Sequence, residues 1–290
     1  MLDVYEIKGS TTSNLFGIKV ALTSGIHMDF ILREYEKDIF TSEEIFNEEQ
    51  SLNTAGLLNI NTPKVINVDP YGSVNGYLLL LMTKIDGHVD LDITNNHSFL
   101  SSLAEALVKL HDNQITDDES RYERYQQPEA IMIPSWTNVP EVWGKLKRIA
   151  HLPAPGSEEA FIHRDFHPAN VLWEDDCVSG VVDWVNACTG PKSVDIGHCR
   201  WNLAMLEGVE AADEFLCEYI SAAPKNYIHH IYWDIVSLMD VLEDPLVVYP
   251  GWKTFNRDDI TEEIMTSRMD DYAEYLLKEY DSNKNGISSN

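Results

Sequence analysis

Short apolar runs of strand type dominate the first third of the chain. Val4 to Gly9, Leu15 to Leu22 and Met28 to Tyr35 are β-type stretches parted by clusters of Gly, Ser, Thr and Asn. The period then changes. From Glu43 to Leu58 the apolar positions Ile45, Leu52 and Leu57 suit a helix, with acids in its first turn. Pro63 to Val68 and Gly76 to Met82 return to strand type across the turn Asp69-Pro70-Tyr71-Gly72. These runs predict a five-stranded sheet with one helix after the third strand. Beyond Asp86-Gly87 helical spacing takes over. Phe99, Leu103, Leu107 and Leu110 form one stripe within Ser98 to His111. Similar stripes run through Leu206 to Ile220, Tyr227 to Leu242 and Ile260 to Tyr280, punctuated by Pro224 and Pro245. Met and aromatic side chains on those faces read as core. The expected organisation is a small β-rich lobe, residues 1–85, followed by a larger, mainly helical lobe, residues 86–290.

Composition and charge narrow the partners. With 44% hydrophobic and 10% aromatic residues, the chain can bury a sizeable core. Its 21 basic and 48 acidic residues give a formal charge of −27. That balance argues against nucleic acid and against an anionic membrane surface, both of which need clustered Lys and Arg. A cationic ligand and mere solubility are both compatible with it. The cysteines Cys177, Cys188, Cys199 and Cys217 form no C-x-x-C pair and read as reduced thiols, which suits a cytoplasmic protein. Met1 to Ser10 shows no signal-peptide pattern, and the apolar run Tyr77 to Met82 is too short to span a bilayer. A soluble cytoplasmic enzyme is expected.

Chemistry concentrates between Phe161 and Gly197. His163-Arg164-Asp165-Phe166-His167-Pro168-Ala169-Asn170 reads as a loop leading into Val171-Leu172-Trp173. The acidic turn Glu174-Asp175-Asp176 then leads through Val178 to Val182 and on to Asp183. A hairpin of this form brings Asp165, Asn170 and Asp183 to one rim. Phosphoryl transfer needs those residue types, because its loose transition state is helped mostly by positioning and charge neutralisation. A carboxylate orients the attacking hydroxyl, and magnesium takes oxygen ligands from one carboxylate and one amide. The H-R-D-x-x-x-x-N spacing matches the catalytic loop of protein kinases. No G-x-x-x-x-G-K-[ST] occurs, which excludes a P-loop kinase. Trp184-Val185 follows Asp183, only eleven residues separate it from Asp195, and no A-P-E follows. That span leaves no room for a peptide-docking activation loop, so a small acceptor is expected.

The segment resembles the aminoglycoside phosphotransferase family, a kinase-like group that includes choline, fructosamine and homoserine kinases. Its His-x-Asp-x-His-Pro-x-Asn segment, following Asp-Trp and further Asp are all present here, the last as Asp195. The resemblance implies an α+β, protein-kinase-like bilobal fold, with a small five-stranded antiparallel N-lobe carrying one helix. It implies a magnesium-dependent kinase moving the γ-phosphoryl of ATP or GTP to a hydroxyl of an aminoglycoside-like acceptor. The alternatives are a choline, homoserine or sugar kinase, and a catalytically inactive nucleotide-binding module. By position Asp165 is the base, Asn170 and Asp183 hold magnesium, Asp195 braces the loop, and His163 supports it by hydrogen bonds. In the small lobe the resemblance implies a phosphate loop from Gly9 to Asn14, with Ser13 and Asn14 as contacts. Arg33 stands where a phosphate-contacting Lys is usual, pairing with Glu48, and Lys19 is the competing cation. Leu80 to Thr83 fall at the adenine hinge, with Met82 nearby. The acids Glu207, Glu210, Asp213, Glu214, Asp234, Asp240, Glu243, Asp244, Asp258, Asp259, Asp270 and Asp271 are candidates for the acceptor wall, as are Trp184, Trp201, Trp233 and Trp252.

Overall fold

The computed structural model describes residues 2–8, 13–93, 97–115 and 120–287. In chain order the first elements are β1 (Asp3–Ile7), β2 (Asn14–Ala21), β3 (His27–Tyr35), α1 (Ser42–Ala55), β4 (Val65–Asp69), β5 (Leu78–Thr83) and β6 (His88–Val89). There follow α2 (His97–His111), α3 (Pro140–Ala150), β7 (Glu159–Ile162), β8 (Val171–Glu174), β9 (Cys177–Val181) and β10 (Cys188–Pro191). The chain closes through α4 (Lys192–Glu207), α5 (Val209–Ala222), α6 (Tyr232–Asp240), α7 (Pro250–Thr254) and α8 (Glu262–Ile287). This is the α+β class that the pattern predicts. No helix among the described residues is long and apolar enough to cross a membrane.

The chain forms two compact units, each assembled from three segments. The first contains Met1–Asp90, Ala169–Asn186 and Pro250–Asn256, and the second contains Leu91–Pro168, Ala187–Tyr249 and Arg257–Asn290. A single cut between residues 85 and 86 does not describe this division. The β8–β9 hairpin returns to the first unit because β6 pairs with β8, His88 against Trp173 and Val89 against Leu172.

In the first unit the five strands run in the order β1-β2-β3-β5-β4, every pair antiparallel. Tyr5 lies opposite Gly17, and its ring covers that position so closely that a Cβ there would fall 2.2 Å from it. Helix α1 starts at a capping box. The Thr41 N–H donates to Glu44 Oε2 (2.7 Å), and the Glu44 N–H donates to Thr41 Oγ1 (3.3 Å). The helix buries Ile45, Glu48, Leu52 and Ala55, and Ile45 packs with Tyr35 and Leu78. Asp175 and Asp176 turn the β8–β9 hairpin with φ of 48° and 61°, the left-handed pair that a two-residue hairpin loop needs.

The second unit is built around α4, which packs on α5, α6 and α8. Apolar periodicity predicted neither α3 nor most of α4. Buried residues surround α4 on nearly every face, so it shows no polar stripe to contrast with an apolar one. Helix α6 begins at Tyr232, later than the pattern starting at Tyr227 suggests, because His230 Nδ1 accepts the Tyr232 N–H (3.1 Å). Helices α3 and α8 are tied where the buried Trp143 indole donates to Asp270 Oδ1 (2.8 Å).

Thr41→Ala removes the cap acceptor of α1, and a loss of about 1 kcal/mol is expected. Urea denaturation of the variant beside the parent protein checks this; an unchanged midpoint would show that the cap is dispensable.

Candidate active site

Two clusters of chemistry stand out, one in each unit. In the first unit the centre is Arg33 on β3, which is only 4% exposed. Its Nη1 donates to Glu48 Oε1 on α1 (2.6 Å), and its Nη2 donates to Asp183 Oδ1 just past β9 (2.8 Å). The other Glu48 oxygen accepts the Tyr35 hydroxyl. Burial works against the Arg33 charge, but Asp183 and Glu48 outweigh it and hold the guanidinium charged well above its ordinary range. Burial likewise pushes the Tyr35 phenol far up, so it stays a donor. The Arg33 Nε–H is buried and has no protein partner among the described residues.

Asn170 joins this cluster through the hairpin. Val171 lies opposite Val181, and the Val182 N–H donates to the Asn170 carbonyl (2.9 Å). Asn170 and Asp183 therefore leave neighbouring ends of one ladder. Asp183 has φ of 67°, a left-handed conformation outside the strand. Arg33 engages one of its carboxylate oxygens, and the side chain is about a third exposed. One carboxylate and one amide are a hard-oxygen donor set suited to magnesium, with phosphate and water oxygens completing the shell.

The remaining small-lobe expectations divide. Asn14 opens β2 and is exposed, Ser13 is half-buried, and Gly9 to Thr12 lie outside the described residues. Lys19 is exposed, with its ammonium 5.7 Å from the Tyr5 ring, whereas Arg33 holds the buried position beside Glu48. Leu80 to Thr83 were expected at the adenine hinge. These residues lie in β5, a strand paired on both edges. The Thr83 N–H donates to the Lys64 carbonyl (2.9 Å) and the Lys84 N–H to the Asp29 carbonyl (3.1 Å). Met82 is buried in that strand.

In the second unit β7 delivers the chain into His163-Arg164-Asp165. Asp195, in the first turn of α4 and fully buried, holds this loop. Its Oδ2 accepts the His163 N–H (2.9 Å) and its Oδ1 the Arg164 N–H (2.5 Å). His111, at the end of α2, places Nε2 3.1 Å from Asp195 Oδ2 and Nδ1 2.8 Å from the Tyr219 hydroxyl. Burial would raise the Asp195 pKa, but His111 and the backbone donors bring it below the usual carboxylate value. His163 is fully buried, and its Nδ1 accepts the Asp165 N–H (3.2 Å). Arg164 has φ of 68°, with its guanidinium 3.9 Å from the Tyr125 ring centre and 5.1 Å from that of Tyr122.

Asp165 lies beside two imidazoles. His198 Nε2 is 3.0 Å from its Oδ1, and His167 Nε2 is 3.8 Å away. Burial would push this carboxyl up, yet His198 and His167 outweigh it and hold Asp165 far below its ordinary range, hence ionised. Sequence reading missed His111 and His198. The available signal for His198 was its place one helical turn after Asp195.

The acceptor-wall candidates are mostly engaged. Asp234 pairs with Arg200 and His229, Asp213 with Arg200, Asp240 with Arg124, and Glu207 and Asp259 with Arg257. Asp270 accepts from Thr137, Asn138 and Trp143. Trp184, Trp233 and Trp252 are buried core, and Trp201 is half-buried.

The phosphotransferase enzyme family, designated APH, has a family model that matches residues 18–227. No curated protein matches the chain. Solved structures do resemble it. A thermostable mutant of aminoglycoside phosphotransferase APH(4)-Ia, in ternary complex with AMP-PNP and hygromycin B, aligns with a TM-score of 0.62. Identity is 14%, over 96% of this chain and 94% of that one. Amicoumacin kinase hAmiN, in complex with AMP-PNP, Ca2+ and Ami, gives 0.59 at 14% identity, over 93% and 88% of the two chains. Macrolide 2′-phosphotransferase MphH from Brachybacterium faecium, as apoenzyme, gives 0.53 at 16% identity, over 95% and 87%. These likenesses identify the kinase-like fold.

Asp195→Ala leaves two backbone donors and His111 without their buried acceptor. A loss of roughly 3 kcal/mol is expected, since removing one member of a buried polar pair strands the rest. Urea denaturation measures it, and a loss below 1 kcal/mol would contradict the clamp.

Proposed function

The chain belongs to the phosphotransferase enzyme family, and on that premise we propose that it moves the γ-phosphoryl of ATP or GTP onto a hydroxyl of a small molecule. The observation that carries the reading is the ionised Asp165, accompanied five residues on by Asn170 and then by Asp183. Asp165 orients the acceptor hydroxyl. As the acceptor oxygen bonds phosphorus, its O–H bond breaks and the proton passes to Asp165. The bond to the departing nucleoside diphosphate oxygen breaks in the same displacement.

Asn170 and Asp183 are the proposed magnesium ligands; magnesium supplies charge neutralisation on the nucleotide phosphates. Arg33 is the proposed phosphate-contacting cation, and its unpartnered Nε–H is a donor suited to a phosphate oxygen. Glu48 and Tyr35 fix its position. Ser13 and Asn14 are assigned to the phosphate loop.

The acceptor is proposed as an aminoglycoside-like molecule or a choline, homoserine or sugar substrate. The internal pairing of Asp234, Asp240, Asp213 and Glu207 weakens the case for a highly cationic one. The inactive-module reading predicts loss of the base or of a magnesium ligand, and all three residues are in place.

A transfer screen over aminoglycosides, macrolides, choline, homoserine and sugars, with ATP and GTP as donors, tests this reading. Asp165→Ala should lower kcat by about 10²- to 10⁴-fold with little change in nucleotide KM. Full turnover in that variant would remove Asp165 from the reaction. Magnesium and ATP together should raise the parent protein's Tm, and Asp183→Asn should lose most of that gain; equal gains would rule out Asp183 as a ligand.

A further inference from the structure

His198 and Trp201 lie one turn apart on α4, and the proposed reaction assigns them no part. The Trp201 indole N–H can only donate, and it points at His198 Nδ1 (3.4 Å). Their rings stand edge to face, with centroids 5.4 Å apart. That contact fixes the tautomer. Nδ1 accepts, so the proton of the neutral ring sits on Nε2, the atom 3.0 Å from Asp165 Oδ1. His198 is 7% exposed, so solvent offers little competition for this bond.

The same geometry decides against a metal at this cluster. Ligand atoms of Asp165, His167 and His198 all lie within 4.8 Å of one another, as in a three-ligand metal site. Ligation through His198 Nε2 would move its proton to Nδ1. A metal-bound imidazole normally donates that second N–H to an acceptor. Here Nδ1 meets a donor, so the surroundings favour the hydrogen-bonding tautomer over the ligating one.

We infer that His198 is a positioning residue for phosphoryl transfer: locked by Trp201 with its proton on Nε2, it holds the Asp165 carboxylate in one orientation for the acceptor hydroxyl. This rests on Asp165 being the base. The chain Trp201–His198–Asp165 is donor to acceptor throughout and leaves no choice of direction. A displacement of the carboxylate by about 1 Å costs on the order of 10²-fold in rate, so the constraint has kinetic weight.

Two measurements test it. Nitrogen-15 NMR of histidine-labelled protein, with His198 assigned through His198→Gln, should show the Nε2-protonated tautomer in the parent and a redistributed tautomer in Trp201→Phe. Hydrolysis of Mg-ATP, with water as acceptor, supplies the kinetic arm. His198→Phe should lower kcat about 10- to 100-fold with an unchanged KM for ATP, and His198→Gln, which restores an N–H donor, should recover part of the loss. The inference fails on an Nδ1-protonated tautomer, on stoichiometric Zn2+ binding lost in His198→Gln, or on a His198→Phe rate equal to the parent's while Asp165→Ala is inactive. Equal losses in His198→Phe and His198→Gln would also overturn it, as a merely structural role. Full hydrolysis by Asp165→Ala would instead overturn the functional reading while leaving the tautomer result standing. The parent and Trp201→Phe spectra decide the tautomer even where His198→Phe does not fold.

Discussion

The loop that carries Asp165 depends on a buried carboxylate thirty residues downstream in the chain. Burying an ion costs several kcal/mol unless its lone pairs are satisfied. Asp195 meets that condition with two backbone N–H groups and an imidazole, and it lies in the first turn of α4, where the helix dipole favours a negative charge. The bonds act on the loop in return. Arg164 adopts a left-handed backbone that costs a non-glycine residue about 1 kcal/mol, and its N–H is one of the two that Asp195 receives. One side chain thus fixes the turn, and the turn fixes where the next residue, Asp165, points.

The two units set their candidate carboxylates against different partners. Asp183 faces the permanent charge of Arg33, itself anchored through Glu48 to Tyr35. The guanidinium keeps its charge at any ordinary pH. Asp165 relies on imidazoles. An imidazole N–H gives Asp165 a directional donor. On the proposed reaction, direction matters more at Asp165, whose task is to meet one hydroxyl, than at Asp183, whose task is to offer oxygen to a cation with several other ligands.

Much of this was legible in the sequence, and what was not has physical causes. The strands β1 to β5, the β8–β9 hairpin and α1 were visible as short apolar runs and a helical stripe, whereas the short β6, β7 and β10 were not. Asp165, Asn170 and Asp183 stood out because their spacing along one loop and hairpin is short and specific. Helix α4 was hidden because burial on almost all faces erases periodicity. His111 and His198 were hidden because their partners are distant in sequence: Asp195 lies 84 residues from His111. An isolated histidine on an apolar helix reads as core until a buried carboxylate is placed beside it. Strand character alone did not reveal that β5 is paired on both edges.

The charge of −27 was compatible both with a cationic ligand and with mere solubility, and the side chains bear on that choice. Net charge governs solubility and the approach of ligands, whereas recognition depends on which carboxylates remain available at close range. Arg200 engages both Asp213 and Asp234, and Arg257 engages both Glu207 and Asp259, so each of these cations holds two of the candidate acids. Asp270 is tied up by neutral donors from the chain before and within α3. A carboxylate already bonded inside the unit would have to give up that partner to take an ammonium group, and the exchange gains little. The engagement of these acids therefore does not by itself argue for a cationic acceptor.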